Sequence, residues 1–580
     1  MQTPRGHSDH NRPPRATAPL VASAIVAAAT SALAAQPDFG PNVLVIEPGS
    51  PTAQAQIDAI FAQQEKAQFG PGRHAILLKP GRHALNIPVG FYTQVAGLGL
   101  HPDDTQIDGV LESRAAWMRN RNATCNFWRC VENLAIAPAR ADEPITWAVS
   151  QASALRRVHV KGSVNLWDGG WSSGGFLADS VIDGTINSGS QQQWFSRNAD
   201  WGRWQGGNWN MVFVGTSSPP QGHWPDHPYT VIDRTPLVRE KPFLVLDNDR
   251  YFVMVPDLAT DRAGVSWQGG PASGDRIPID RFHIARPDRD SAATINAALD
   301  AGQHLLFTPG IYSIDAPLRV TRPQTVVLGL GYPTLVAAAG NVVLSLADVD
   351  GLKVGGLLIE ARDEVSPTLV EVGQPGSRNN HSKDPTFLHD LFCRAGGAAN
   401  GRCRAFVTIH SSHVVGDNLW LWRADHGAGA EWDSNRNENG LIVHGDDVTM
   451  YGLFVEHCHE YQTLWLGERG RVYFYQSEMP YDPPSQDAWM NGPVRGYASY
   501  KVADHVKEHD AAGLGVYCVF WDAPIIADRA IEAPDAPGVR LRNMIAVRLN
   551  GKPNSGINRV LNDQGSPVIT TKISRLLSNR

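Results

Sequence analysis

The sequence predicts an all-β solenoid, a parallel β-helix built as two modules in tandem, and three observations carry that expectation. Strand-like segments of 4–8 residues recur at intervals of roughly 18–25 residues, about one coil of a stacked solenoid. One block, a short helix followed by strands around a Pro-Gly turn, occurs twice. The composition is turn-rich and sparsely charged, with 55 Gly, 40 Pro and 19% charged residues. At 580 residues the chain is too long for one compact core.

Taken in order, Arg5, Arg12 and Arg15 precede an apolar, alanine-rich stretch over 20–35 that ends Ala32-Leu33-Ala34. That is a basic n-region, an h-region and an A-x-A cleavage site, so residues 1–35 read as an export signal. The h-region is too short to span a bilayer, and no later segment is long and apolar enough, so no membrane partner is expected. The mature chain is expected to be secreted, extracellular or periplasmic, beginning near Ala35 or Gln36. The first module covers 36–263. It opens with a helix over TAQAQIDAIFAQQ (52–64), then AILLKPGRHALNI (75–87) and QVAGLGL (94–100). A Gly- and Pro-rich linker follows over 264–280. The second module, 281–580, repeats the opening as SAATINAALDAG (291–302), LLFTPGIYSI (305–314) and TVVLGLG (325–331). Pro80-Gly81 and Pro309-Gly310 set the turn in each copy. A β-sandwich would need tight two-residue hairpins, and a propeller a blade motif every ~40–45 residues; neither pattern is found.

Net charge is −7 with no basic run, which argues against a nucleic-acid partner and favours a neutral polymer over a polyanionic one. Seventeen Trp are many, and Trp faces are common platforms for sugar rings, although about half should be core filler. Of six Cys, Cys125 with Cys130 and Cys393 with Cys403 are each close enough to close a small loop; Cys458 and Cys518 read as buried and reduced.

The chemistry concentrates between Glu431 and Trp489. VTMYGLFVEH and RVYFYQSEMP each reach a glutamate near their end, and Glu456 and Glu478 are 22 residues apart. Aligned with SSHVVGDNLWLWRA, the strands put Trp422, Glu456 and Glu478 in one column at ~4.8 Å spacing. Two carboxylates on adjacent rungs repel when both are ionised, which keeps one protonated, as cleavage of a glycosidic bond requires. The bland alternative is a pair of solvated rim residues, but aromatic and proline-rich loops (HEYQTLW, MPYDPPS) follow each, not a charged face. EHCHE (456–460) offers only two imidazoles on one face, and GDD (445–447) reads as turn chemistry, so neither metal nor organic cofactor is expected. A Ser-His-Asp hydrolase is not expected. In the first module, Gln191, Gln192 and Gln193 precede Trp194, Trp201, Trp204 and Trp209, amides suited to holding water and sugar hydroxyls. Strand alternation sends Gln191 and Gln193 one way and Gln192 the other, and Gln192 reads as part of an internal polar ladder.

GSQQQWF (189–195), WNMVF (209–213), TPLVREKPF (235–243), WRADHG (422–427) and the run 452–486 resemble glycoside hydrolase family 55, the laminarinases and exo-β-1,3-glucanases, in family order across both modules. The resemblance implies two right-handed, pectate-lyase-like parallel β-helices side by side, with the substrate pocket at their junction, and hydrolysis with inversion. It implies Glu478 as general acid, Glu456 as a second acid beside it, and Gln191 and Gln193 as positioners of the attacking water. Trp422, Asp425 and Tyr481, with Trp194, would line the sugar pocket. The family pattern carries a serine after WNMVF, where this chain has Val214; Thr216 and Ser217 are the nearby hydroxyls. Carboxylates one rung apart approach the ~5–5.5 Å of retaining enzymes rather than the ~6.5–9.5 Å of inverting ones. Inversion therefore makes Glu456 a tuner of Glu478, with the base a relay from the first module.

The expectation is a secreted, monomeric, exo-acting β-1,3-glucan hydrolase. Alternatives are a hydrolase of the same fold acting on another neutral glucan linkage, a non-catalytic glycan-binding solenoid, and a polysaccharide lyase with a Lys, Arg or Tyr base.

Overall fold

The computed structural model describes residues 36–140, 142–270 and 273–579; the leader read in 1–35 lies outside them. Residues 53–64 and 292–300 are helical, as the repeat predicts. The second helix starts at Ser291, whose hydroxyl accepts from the Thr294 N–H while the Thr294 hydroxyl accepts from the Ser291 N–H, a reciprocal cap. Each helix is followed by parallel strands that add one rung per coil.

The first stack runs from Val43–Ile46 through His74–Leu78, Thr93–Gly97, Arg129–Ala137, Ala154–Val160, Phe176–Ala178, Gln193–Arg197 and Asn210–Val214 to Tyr229–Ile232, all parallel. The second has two such ladders. One runs from Phe282–Ala285 to Gly538–Arg548 in parallel and ends on the antiparallel Ile573–Ser578; the other runs from Leu318–Val320 to Gly556–Leu561. Between the stacks, Phe243–Asp247, Arg250–Pro256 and Gly274–Pro278 form a small antiparallel sheet, so the segment 264–280 read as a linker contains a strand.

Each stack has its own apolar core, and a third cluster joins them. Strand Val414–Arg423 shows how: Leu419 and Leu421 point into the coil, while Trp420 and Trp422 point across the junction, so all ten residues are buried. A junction ladder buried on both faces loses the apolar–polar alternation of a solvated strand. The junction is aromatic, with Phe127, Trp128, Phe176, Phe195, Trp420 and Phe454 among its members, each worth about 1.5–3 kcal/mol of burial.

The strands of the two stacks run in opposite senses across this junction. In the turn before the strand Ala154–Val160, the Gln151 amide reaches Glu456 at the end of its strand; five residues further on, Arg156 reaches Asp417 near the start of its own. The entering ends of one stack therefore meet the leaving ends of the other.

All six cysteines are free, so neither short pair forms a disulfide. Cys125 points to His426, Sγ to Nε2 4.0 Å, and Cys403 Sγ accepts from Asn437 Nδ2 at 3.1 Å. Among the described residues no helix is long and apolar enough to cross a membrane.

Candidate active site

The column read from sequence is present. Trp422 pairs with Glu456, Glu456 with Glu478, and Glu478 with Tyr517, on four consecutive parallel strands. Period-two alternation decides the direction. Leu421 and Val455 enter the coil core, so Trp422 and Glu456 face the junction, and both glutamates are almost wholly buried.

Their surroundings differ. Glu456 Oε1 accepts from Gln151 Nε2 and Oε2 from Trp420 Nε1, each at 2.8 Å. Burial pushes its carboxyl up to about 7, against the pull of donors from Trp420, Gln476 and Gln151. Glu478 accepts from Gln476 Nε2 at 3.3 Å and, closely, from the Tyr481 hydroxyl. Burial first, then the negative charge of Glu456 and of Asp425, hold its carboxyl well above the usual carboxylate range. The pair titrates together; donors converge on Glu456, so charge rests there and the proton on Glu478.

The rim is built from the turn after each strand. Asp425 follows Val414–Arg423, and although burial opposes it, His426 and His457 bring its carboxyl down to about 2. Tyr481 packs edge-on against His457 with ring centroids 4.3 Å apart. Asp482 is clamped bidentately by Arg423 at 2.8 and 2.7 Å, fixing the MPYDPP loop that carries Tyr481 over Glu478. In EHCHE, His457 Nδ1 faces the Met479 carbonyl at 3.0 Å. His459 Nε2 donates to the Trp432 carbonyl at 2.8 Å. Both rings brace turns. Among the described residues no three His, Cys, Asp or Glu side chains cluster as metal ligands would.

Asp425, Tyr481, Glu456 and Glu478 are thus brought together; the other expected residues fare differently. Gln193 reaches the junction, its Nε2 donating to the Ser173 carbonyl, with Oε1 buried and unpaired. Gln191 does not. Its Nε2 donates to the Val149 and Leu166 carbonyls, each at 2.9 Å, and its Oε1 accepts from Gly174 N at 2.8 Å, so it staples preceding coils of its own stack. The cause is a turn at 188–191, which breaks the alternation before the strand begins at Gln193. Gln192, expected inside, is instead half-buried. Trp194 lies in the first stack's core, because alternation sends Gln193 and Phe195 to the junction. Trp422 holds its predicted register, but only 1% of it is exposed; its ring stacks on Trp420 at 5.0 Å and on Phe69 at 6.2 Å. It is the inner wall of the site and not an open platform.

Three contributors were not singled out from the sequence, although Asn210 lies in WNMVF and Gln476 in the run 452–486. Gln151 sits in an unremarkable AVSQAS run, yet bridges the stacks to Glu456. Asn210 is the register neighbour of Gln193 and donates to the Gly513 carbonyl at 2.9 Å. Gln476 is the register neighbour of Phe454 and Gly515. The oxygens of Gln193, Asn210 and Gln476 are all buried and unpaired. Val214 lies at the far end of the Asn210–Val214 strand, in register with Arg197, so this position is remote from the glutamates and Asn210 stands nearer.

An acid that keeps its proton near neutrality beside one that gives it up is what hydrolysis of a glycosidic bond asks for. On this scaffold it defines a β-helical glycoside hydrolase. The family model of the LAM55 pectate lyase-like domain matches residues 282–478. An exo-beta-1,3-glucanase of Streptomyces sp. (strain SirexAA-E / ActE) is 46% identical over 534 residues, covering 91% of this chain and 87% of that protein. The solved structure of sacteLam55A from Streptomyces sp. SirexAA-E superposes with a TM-score of 0.91 at 45% identity, over 94% of this chain and 99% of that one. A glutamate-to-alanine variant of the same enzyme, in complex with glucose, matches with a TM-score of 0.91 over 93% and 98%. The chain belongs to glycoside hydrolase family 55.

Proposed function

We propose that this protein is a secreted exo-β-1,3-glucanase that releases glucose or short oligosaccharides from laminarin-type glucan with inversion. The observation that carries the reading is the unequal buried carboxylate pair, Glu456 held by two donors and Glu478 raised further by burial and its neighbour's charge, within a fold shared with an enzyme solved in complex with glucose. The export pattern over 1–35 supports secretion.

Glu478 donates its proton to the glycosidic oxygen, with the Tyr481 hydroxyl orienting the carboxyl. The attacking water donates its two hydrogens to two of the unpaired oxygens of Gln193, Asn210 and Gln476, and meets C1 on the face opposite Glu478. Both Glu456 oxygens are already held, by Gln151 and Trp420. That suits a carboxylate that tunes Glu478 and takes up the water's proton through the Gln476 amide, whose oxygen accepts it as its N–H passes one to Glu456, and not one that attacks C1. Incubation with laminarin, with products and their anomeric form followed by NMR, tests the proposal. First-formed α-glucose supports it; first-formed β-glucose overturns inversion, and no sugar release overturns hydrolysis.

The pair also makes a pH prediction. Glu456→Gln removes the like charge that, after burial, most raises the Glu478 carboxyl, so the basic limb of the kcat/KM profile moves to lower pH. The maximum falls by about 10²-fold as the relay is lost. An unmoved or upward-moving basic limb contradicts the coupling.

A further inference from the structure

Five of the six cysteines are buried, and burial pushes their thiols up: Cys130, Cys393 and Cys458 well above the usual thiol range, Cys403 and Cys518 to about 12. Cys125 is the exception. It is half-buried, and it faces a histidine and an aspartate supplied by the other stack. Its Sγ lies 4.0 Å from His426 Nε2, and His426 Nδ1 is 3.0 Å from Asp425 Oδ1. Thiol, imidazole and carboxylate thus stand in line across 301 residues of chain, the order that activates a nucleophile, and they do not converge on one point as metal ligands would.

Both sides of the line are fixed. Next to Cys125, Asn126 is fully buried; its Nδ2 donates to the Arg114 and Ala148 carbonyls at 3.1 and 2.8 Å, and its Oδ1 accepts from Trp117 Nε1 at 2.7 Å. Phe127 then packs on Trp420 at 4.7 Å between ring centroids. The His426 ring is held between those of Trp422 and Phe69, at 5.5 and 5.6 Å, and the Gln68 side-chain amide also meets its Nε2, at 2.6 Å. Burial opposes a charge on this imidazole, but Asp425 and Cys125 keep it protonated up to about 10. The thiolate is the reactive form of a cysteine, and a cationic neighbour favours it. Cys125 is also near enough to the pocket for its charge to raise the Glu478 carboxyl, after burial and the charges of Glu456 and Asp425.

We infer that Cys125 is a modification site, through which low-molecular-weight aliphatic disulfides reversibly shut the catalytic pocket. This rests on the function proposed above. The Cys125 thiolate attacks one sulfur of the disulfide, a new S–S bond forms as the old one breaks, and the departing thiolate takes a proton from His426 Nε2. Excess free thiol runs the exchange backwards. The group left on Cys125 occupies the rim beside Asp425, a carboxyl held down to about 2, so a disulfide carrying ammonium groups is favoured.

Cystamine is the probe. Brief treatment is expected to add one cysteamine per chain, mapped to Cys125 by peptide mass spectrometry, and to lower laminarin turnover in proportion to the modified fraction; dithiothreitol restores it. Glucose present during treatment slows the addition, because both occupy one pocket. Cys125→Ser, read against its own untreated activity, becomes resistant. His426→Gln reacts about tenfold more slowly, since the departing sulfur loses its proton donor. Addition at another cysteine, full turnover by the modified chain, equal inactivation of Cys125→Ser, or an unchanged rate in His426→Gln overturns the inference. Where a variant fails to fold, the adduct map and the glucose protection of the unaltered chain decide. An untreated protein that releases no sugar from laminarin would instead overturn the proposed function, and the site of addition would still report on Cys125.

Discussion

Replacing Glu478 with glutamine lowers kcat on laminarin by about 10³-fold or more, with little change in KM, because proton donation to the leaving oxygen acts only in the transition state. Glutamine keeps the volume and can still face Gln476 and Tyr481, so binding survives while the transferable proton is gone. The leaving group separates this role from a structural one. An aryl β-glucoside whose phenolate departs without protonation should lose far less than laminarin does. Equal losses on both substrates would make Glu478 a structural residue, and near wild-type activity on laminarin would remove it from the mechanism.

Asp417→Ala is expected to cost about 3–5 kcal/mol of stability, the effect of removing one partner from a buried ionic network. Asp417 accepts from Arg156 at 2.8 Å and from Arg197 at 3.0 Å, and Arg197 also grips Glu240 at 2.6 and 2.8 Å. Arg156 in turn holds Asp390 through two bonds of 2.9 Å, and Lys241 joins Asp390 to Glu132. These groups are buried between the stacks, so the variant leaves two guanidinium groups short of an acceptor away from water. Burial alone would raise the Asp417 carboxyl, but Arg197 and Arg156 hold it below its ordinary 3.8. Its contribution is therefore present above that pH and is lost as pH falls through the lower folded value. Thermal unfolding checks this against Arg276→Ala, which breaks an exposed pair with Asp247 worth about 0–1 kcal/mol. Similar midpoints for the two variants would show that the network does not hold the junction. Activity should fall with stability, since the same junction presents Gln151 to Glu456.

Much of the fold and half of the site were legible in the residues. The helix–strand–turn repeat marked where each stack begins, and both helices formed where expected. A spacing of 22 residues placed Glu456 and Glu478 on one column, because coil length and strand alternation are local properties. Tyr481 and Asp425 followed, since each sits in the turn just past a column strand.

Where the reading went astray, the cause was packing between distant segments. Gln191 and Trp194 stood beside the right residue, Gln193, but a turn and the strand's alternation sent them into their own coil. Trp422 had the right register, yet Phe69, from a turn more than 300 residues earlier, covers it. The short cysteine spacings suggested bridges, but Cys125 faces His426, 301 residues away. The residues by themselves determined the rungs, the column of carboxylates and which side of each strand they occupy. Only the opposed packing of the two stacks decided that Gln151 meets Glu456 across 305 residues. Periodicity is written locally along the chain, whereas the faces that meet across the junction depend on how two finished coils fit together.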